Sequence, residues 1–172
     1  MVLVERNNML YTKLIIVEGC DKVGKTTLVK EMVKRFGCEV IKKSNPKEDA
    51  YIDYMNTITK LNTDKSYIFD RFYFSELVYG PLMRGMNWLD KNKFDNIETC
   101  ISKMHPIVIH AYNTEEFIHQ KMKEDGENYI VDDDVKHILR LFDVVIPNTK
   151  FPVLKYKIGD SYNILDQIKI IK

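Results

Sequence analysis

Cysteine is scarce in this chain: there are three, Cys20, Cys38 and Cys100. Their odd number and wide spacing fit neither a disulfide framework nor a paired zinc-ligand pattern, so a reducing, cytoplasmic setting is the simpler expectation. A basic excess is also missing. Lys and Arg total 26 against 25 Asp and Glu, a net charge of +1, which removes the signature of a dedicated nucleic-acid binder and makes any basic surface local. The first 11 residues carry Glu5, Arg6 and two asparagines with no long apolar core, so they read as a loose N-terminal extension (1–11), neither secretory signal nor membrane anchor. The four histidines have no ligand spacing, and there is no internal repeat or low-complexity tract. What is present is a chain of 172 residues with 45% hydrophobic content, enough for one well-packed core and short for two. A single domain over 12–172 is expected.

The strongest pattern is Gly19 to Thr27, read G-C-D-K-V-G-K-T-T. Leu14, Ile15, Ile16 and Val17 precede it, and Leu28, Val29, Met32, Val33 and Phe36 follow with helical spacing. A glycine-bearing loop between a buried strand and a helix is a phosphate loop, because two glycines let backbone N–H groups and the helix N-terminus face one anion. The ATP-binding set is Gly19, Cys20, Asp21, Lys22, Val23, Gly24, Lys25, Thr26 and Thr27. Lys25 reaches for the β- and γ-phosphates and the Thr26 hydroxyl for Mg²⁺.

Around the loop the chain alternates strands and helices. The strand Thr12–Val17 is apolar throughout, as in a parallel sheet covered on both faces. A helix over 24–36 closes at Gly37. The strand Glu39–Lys42, a helix bearing Ile52, Met55, Ile58 and Leu61, and the strand Tyr67–Phe69 follow. That strand ends on Asp70-Arg71, delivering an acid and a base to the edge where open α/β sheets bind ligands. The helix from Phe72 is kinked or ended by Pro81 and Gly85. Next come a helix over 88–103, a strand Ile107–Ile109 stopping at His110, and a helix capped by Asn113 or Thr114 and continuing to Met122. The charged stretch around Gly126 reads as a lid at about 121–130 or as a plain exposed loop. Asp132 to Asp134 read as first-turn acids in preference to a metal cluster. Strand Val153–Lys157 and a closing helix bearing Ile164, Leu165, Ile168 and Ile171 complete an α/β, three-layer architecture.

Three segments carry a family resemblance: E-G-C-D-K-V-G-K-T-T at Glu18–Thr27, D-R-F-Y-F-S-E-L-V-Y at Asp70–Tyr79, and E-N-Y at Glu127–Tyr129. Together, from Thr12 onward, the chain resembles the thymidylate kinase family of nucleoside monophosphate kinases, and also the shorter phage-type deoxynucleotide kinases. The resemblance implies a P-loop kinase fold with a five-stranded parallel sheet flanked by helices, a place in nucleotide biosynthesis, and ATP with Mg²⁺ as cofactors. It implies that Asp21 lies near the substrate sugar and metal and that Lys22 bridges toward the γ-phosphate. Asp70 orders metal-bound water, Arg71 grips phosphate, and Phe72 lies beside the base. Ser75 and Glu76 fall on the base-recognising face, and Tyr79 packs under the deoxyribose. Read from the residues alone, Ser75 and Glu76 are equally helix surface, and Tyr79 is equally a core aromatic.

Three departures from the family pattern stand out. Lys43, Ser44, Asn45 and Pro46 replace an arginine-proline stretch, which makes Lys43 the remaining candidate for the acceptor phosphate. Gly80 replaces a glutamine, loosening the preference for thymine. The lid residues Lys121, Lys123 and Tyr129 include no arginine, so the catalytic cation is Lys22 or one of the lid lysines. The catalytic set is therefore Asp21, Lys22, Lys25, Asp70 and Arg71, with Thr26 and Asp70 toward the metal. The expected reaction is phosphorylation of a deoxynucleoside monophosphate, dTMP first and dGMP second. A deoxynucleoside kinase and a weakly catalytic nucleotide-binding module are the alternatives. A nucleoside acceptor needs a general base, and Lys42 and Lys43 stand where related deoxynucleoside kinases place a glutamate. The expected partner is a small nucleotide, with no nucleic acid or membrane and with room for a homodimer.

Overall fold

The structure is a computed structural model and describes residues 9–43, 46, 49–125 and 132–171. β1 (Leu10–Thr12) is followed after Lys13 by β2 (Leu14–Glu18), and then α1 (Lys25–Phe36), β3 (Glu39–Lys42), α2 (Ala50–Ile58) and β4 (Tyr67–Asp70). The second half runs α3 (Tyr73–Arg84), α4 (Lys91–Ile101), β5 (Ile107–Tyr112), α5 (Glu115–Asp125), α6 (Asp132–Val145), β6 (Val153–Lys157) and β7 (Ile168–Ile170). Five strands form one parallel sheet in the order β3-β4-β2-β5-β6.

The unbroken apolar run of β2 is explained by its position at the middle of this sheet. Successive side chains on a strand point to opposite faces. Leu14 and Ile16 join a core with Phe69, Val108 and the inner faces of α2, α3, α4 and α6. Ile15 and Val17 join the other core, with Ile68, Ile109 and Leu28, Val29 and Met32 of α1. Four consecutive residues at 0% exposure require both faces covered, which is the three-layer sandwich expected.

Four boundaries differ from the sequence reading. The first strand is split: the buried Thr12 hydroxyl donates to Leu14 O at 2.8 Å and accepts from Leu14 N at 2.9 Å, and the chain steps there from a small two-stranded ladder into the main sheet. Leu10 and Tyr11, expected in the N-terminal extension, belong to that ladder. The partner strand is β7, paired in parallel with β1. It occupies what was expected to be the closing helix, which instead forms a 3-10 turn over Tyr162–Gln167 and then the strand. Its run of β-branched isoleucines suits a pleated ladder with an available edge better than a helix. β5 continues past His110 to Tyr112 because β6 pairs with it that far, Tyr112 opposite Lys157. α5 extends to Asp125, its last turn supported by Gln120 and Lys121 contacts to Glu124 and by Lys22 to Asp125 at 2.8 Å. Of the expected lid, 121–125 is thus helical, while Tyr129 lies outside the described residues. Among the described residues no helix is long and apolar enough to cross a membrane.

His110, buried within β5, sits 3.9 Å from Asp143 through Nδ1. Burial pushes its imidazole down to about 4, with Asp143 opposing and Lys155 reinforcing the shift. The folded state holds it neutral, whereas the unfolded chain takes a proton near 6.5. Its contribution is therefore complete above about pH 6.5 and lost as pH falls toward 4, on the order of 3 kcal/mol in full. His110→Gln is expected to flatten the fall in Tm across that window, measured by thermal melts from pH 7 to 4.

Candidate active site

The loop after β2 and the chain after β4 meet at the carboxyl edge of the sheet. Gly19 sits at φ 145, and a Cβ there would run into the Ala111 carbonyl of β5, so only glycine lets the loop lie against the sheet. Gly24 is the left-handed N-cap of α1, whose first turn carries no acid, leaving the positive end of the helix facing the loop. Lys25 folds back into this ring, its ammonium donating to Gly19 O at 2.8 Å and Cys20 O at 2.6 Å. Burial pushes Lys25 below the usual lysine range, opposed by Cys20, Glu18 and Asp70.

A cleft of about 290 Å³ is lined by Lys22, Gly24, Lys25, Thr26, Lys42, Lys43, Asp70 and Arg71. Beside it lies a larger cavity of about 370 Å³. Its walls include Asp21, Lys43, Tyr54, Arg71, Phe72, Ser75, Glu76, Tyr79 and Arg84. Arg71 and Lys43 belong to both. Lys22 and Arg71 both take left-handed backbone, φ 61 and φ 66. Arg71 pairs with Asp21, Lys22 with Asp125 at 2.8 Å, and Lys43 with Asp53 at 2.8 Å. The Asp70 carboxylate is 4.0 Å from Lys42. Val23 is buried under the loop and Thr26 and Thr27 are exposed at the start of α1. Lys121 pairs with Glu124 on α5 and Lys123 is exposed.

In the larger cavity the expected substrate residues have defined attachments. Phe72 contributes to the wall but is fully buried among Phe69, Tyr54 and Tyr73. The Tyr79 hydroxyl accepts the Asp21 N–H at 3.0 Å, its ring edge lying on Phe142, and burial pushes its phenol up. Ser75 donates its hydroxyl to Glu18 at 2.6 Å. Glu76 is 2% exposed and paired with Arg84.

Two residues of this site were not singled out from the sequence. Glu18 is fully buried at the end of β2 and accepts from Phe72 N at 2.7 Å and Ser75 N at 3.3 Å in addition to the Ser75 hydroxyl. Burial pushes its carboxyl up, and these hydrogen bonds with Lys25 pull against that. The signal was present: an acid ends an otherwise wholly apolar strand. Arg84 lies between Pro81 and Gly85, the two positions expected to kink or end the helix. α3 runs through Pro81 and ends at Gly85, and Gly80 spares it the clash between a preceding Cβ and the proline ring.

Thr26 and Asp70, both on the wall of the smaller cleft, give hard oxygen donors of the kind Mg²⁺ takes when phosphates supply the rest. Among the described residues no group of three or more His, Cys, Asp or Glu could hold a metal ion.

This is the fold of P-loop kinases. No protein-family model matches the chain. It is 26% identical over 151 residues to the SPbeta prophage-derived uncharacterized protein YorR of Bacillus subtilis (strain 168), covering 85% of this chain and 89% of that one. The crystal structure of YorR in complex with phosphorylated GDP superposes with a TM-score of 0.74 at 23% identity, over 90% of this chain and 91% of that one. Deoxyadenosine kinase from M. mycoides with bound dCTP gives a TM-score of 0.57 at 17% identity, over 88% and 93%. A gluconokinase from Sinorhizobium meliloti 1021 gives 0.57 at 10%, over 91% and 89%. The neighbours thus include kinases of different acceptors, and a thymidylate kinase is not among these three.

Because Glu18 satisfies three donors from one buried position, Glu18→Ala is expected to lower stability by about 3 kcal/mol, and Ser75→Ala by about 1 kcal/mol. Urea denaturation of the two variants beside the wild type reads both. Equal and small losses would mean that water replaces the carboxylate.

Proposed function

We propose that this protein is an ATP- and Mg²⁺-dependent kinase of deoxynucleoside monophosphates. The observation that carries the reading is the junction of two cavities at Arg71 and Lys43. One is a cationic cleft at a phosphate loop and the other is a partly apolar pocket of nucleotide size. A protein that only binds ATP has no use for a second pocket opening onto the same cations. Phosphoryl transfer needs the acceptor held in line and the spreading charge neutralised, with little covalent chemistry from the protein.

In this reading the donor phosphates lie on the loop N–H groups, with Lys25 leaving Gly19 O and Cys20 O for the β- and γ-oxygens. Arg71 and Lys43 hold the acceptor phosphate against the donor. Tyr79, tied to Asp21 through its hydroxyl, presents its ring to the sugar and favours deoxyribose. Bound through Thr26 and Asp70, Mg²⁺ would supply neutralisation of phosphate charge. The acceptor is a monophosphate because its oxygens are already ionised. Glu18 is held by α3 and offers no free base to an acceptor hydroxyl. A deoxynucleoside kinase is the second reading, favoured by the superposition on deoxyadenosine kinase.

A coupled ADP-release assay over nucleosides, deoxynucleosides and their monophosphates tests the proposal. Turnover with deoxynucleoside monophosphates supports it, turnover with nucleosides alone replaces it by the second reading, and no turnover leaves a binding module. Lys25→Ala is expected to lower kcat at least about 100-fold with the fold retained, since the ammonium acts on phosphate charge. Lys22→Ala is expected to lower kcat about tenfold or more with little change in KM for ATP, because its charge matters most as the transition state forms. A harmless Lys22→Ala beside a crippling Lys123→Ala would move that role to the lid.

A further inference from the structure

The base order implied by the family resemblance put thymine before guanine, and Gly80 was read there as a missing glutamine. In the structure Gly80 is where a charged pair fits. A Cβ at position 80 would lie 2.5 Å from Glu76 Oε1 and 3.0 Å from an Arg84 terminal nitrogen. One guanidinium nitrogen of Arg84 lies 2.6 Å from Glu76 Oε2 and equally bonds Oε1. The guanidinium stacks 4.2 Å over the Trp88 ring, and Trp88 N donates to Glu76 Oε1 at 3.4 Å. Both Glu76 and Arg84 line the larger cavity.

We propose that Arg84, admitted by Gly80 and set against Glu76, is a specificity-determining residue that selects guanine as the base of the acceptor. The inference rests on the reading of this cavity as the acceptor-nucleotide site. An ionised carboxylate accepts only, through about four lone-pair sites, and a guanidinium donates only, through five N–H groups. The pair therefore presents a block of acceptors beside a block of donors. Guanine is the base that matches both blocks twice over: its N1–H and N2 amino group are adjacent donors for Glu76, and its O6 and N7 are adjacent acceptors for Arg84. Thymine offers the carboxylate one N–H, and adenine and cytosine one amino group each with no second donor beside it. Each of those leaves part of a buried charged pair without base contacts, which is how a polar site rejects a wrong ligand.

The test compares dGMP, dIMP, dAMP, dTMP and dCMP by calorimetric titration of the full chain, with ADP release measured in parallel. dIMP differs from dGMP only by the N2 amino group that Glu76 would accept. The expected result is dGMP bound at least about tenfold more tightly than dIMP or any other monophosphate. Arg84→Met is expected to cut the dGMP-to-dTMP affinity ratio at least about tenfold. Gly80→Ala should do the same by displacing two flexible side-chain ends while leaving both charges in place. If Arg84→Met does not fold, the Gly80→Ala variant and the wild-type dGMP-to-dIMP ratio decide. Equal affinity for dGMP and dIMP, preference for another base, or a uniform loss across all bases in the variants overturns the inference. Guanine-selective binding without ADP release sustains it and sinks the kinase reading. ADP release with dTMP preferred does the reverse.

Discussion

The site depends on one buried carboxylate. α3 begins at Tyr73 after Phe72, whose side chain makes no cap hydrogen bond, so the orphan N–H groups of its first turn need an acceptor from elsewhere. Glu18 supplies it from the end of β2, taking Phe72 N, Ser75 N and the Ser75 hydroxyl. Burying an acid is unfavourable, as its raised pKa records, and the three donors with Lys25 offset that cost. The result is mechanical. The strand that launches the phosphate loop and the helix that carries Glu76, Tyr79 and Arg84 are fastened at the same few atoms, so the two cavities keep a fixed relation.

The second constraint is compensation of charge. Five cations line the phosphate cleft, yet each named amine or guanidinium contact there has an acidic or carbonyl partner: Lys22 with Asp125, Arg71 with Asp21, Lys43 with Asp53, Lys42 near Asp70 and Lys25 with loop carbonyls. That is how a local cluster of cations coexists with a net charge of +1. Asp125, Asp21 and Asp53 are between about a third and a half exposed, so these pairs are weak in water and open to exchange. Lys22 and Arg71, both with left-handed backbone, each hold one of these exchangeable partners.

Much of the fold was legible because it follows from burial on two faces. The apolar run before the loop reads as a strand covered on both faces, as in a parallel sheet, and the helix after Gly24 carries a clear apolar stripe. The glycine-rich loop was legible because its pattern is local: G-C-D-K-V-G-K-T-T lies within nine consecutive residues. What was not legible depended on pairing at a distance. The Ile-rich C-terminus has helical spacing, and only the presence of β1 as a parallel partner makes it a strand. β5 outran its expected end because β6 lies beside it. Ser75 was read for its place on a helix face, whereas its hydroxyl is bound to a residue 57 positions earlier in the chain. Spacing rules describe neighbours along one element, and these contacts lie between elements.

Gly80-Pro81 shows how two local rules combine into a distant effect. Proline inside a helix removes one hydrogen bond and clashes with the residue before it, so an interior Pro81 argues for a break. Glycine in a helix costs about 1 kcal/mol relative to alanine, so Gly80 alone argues for weakness. The missing Cβ removes one of the proline's clashes, and the helix ends at Gly85, which closes it by donating its N–H to Pro81 O at 2.9 Å. The added turn brings Arg84 back over Glu76, and the space it fills is the space the absent Cβ leaves. The same glycine thus leaves room for the pair that shapes the cavity wall.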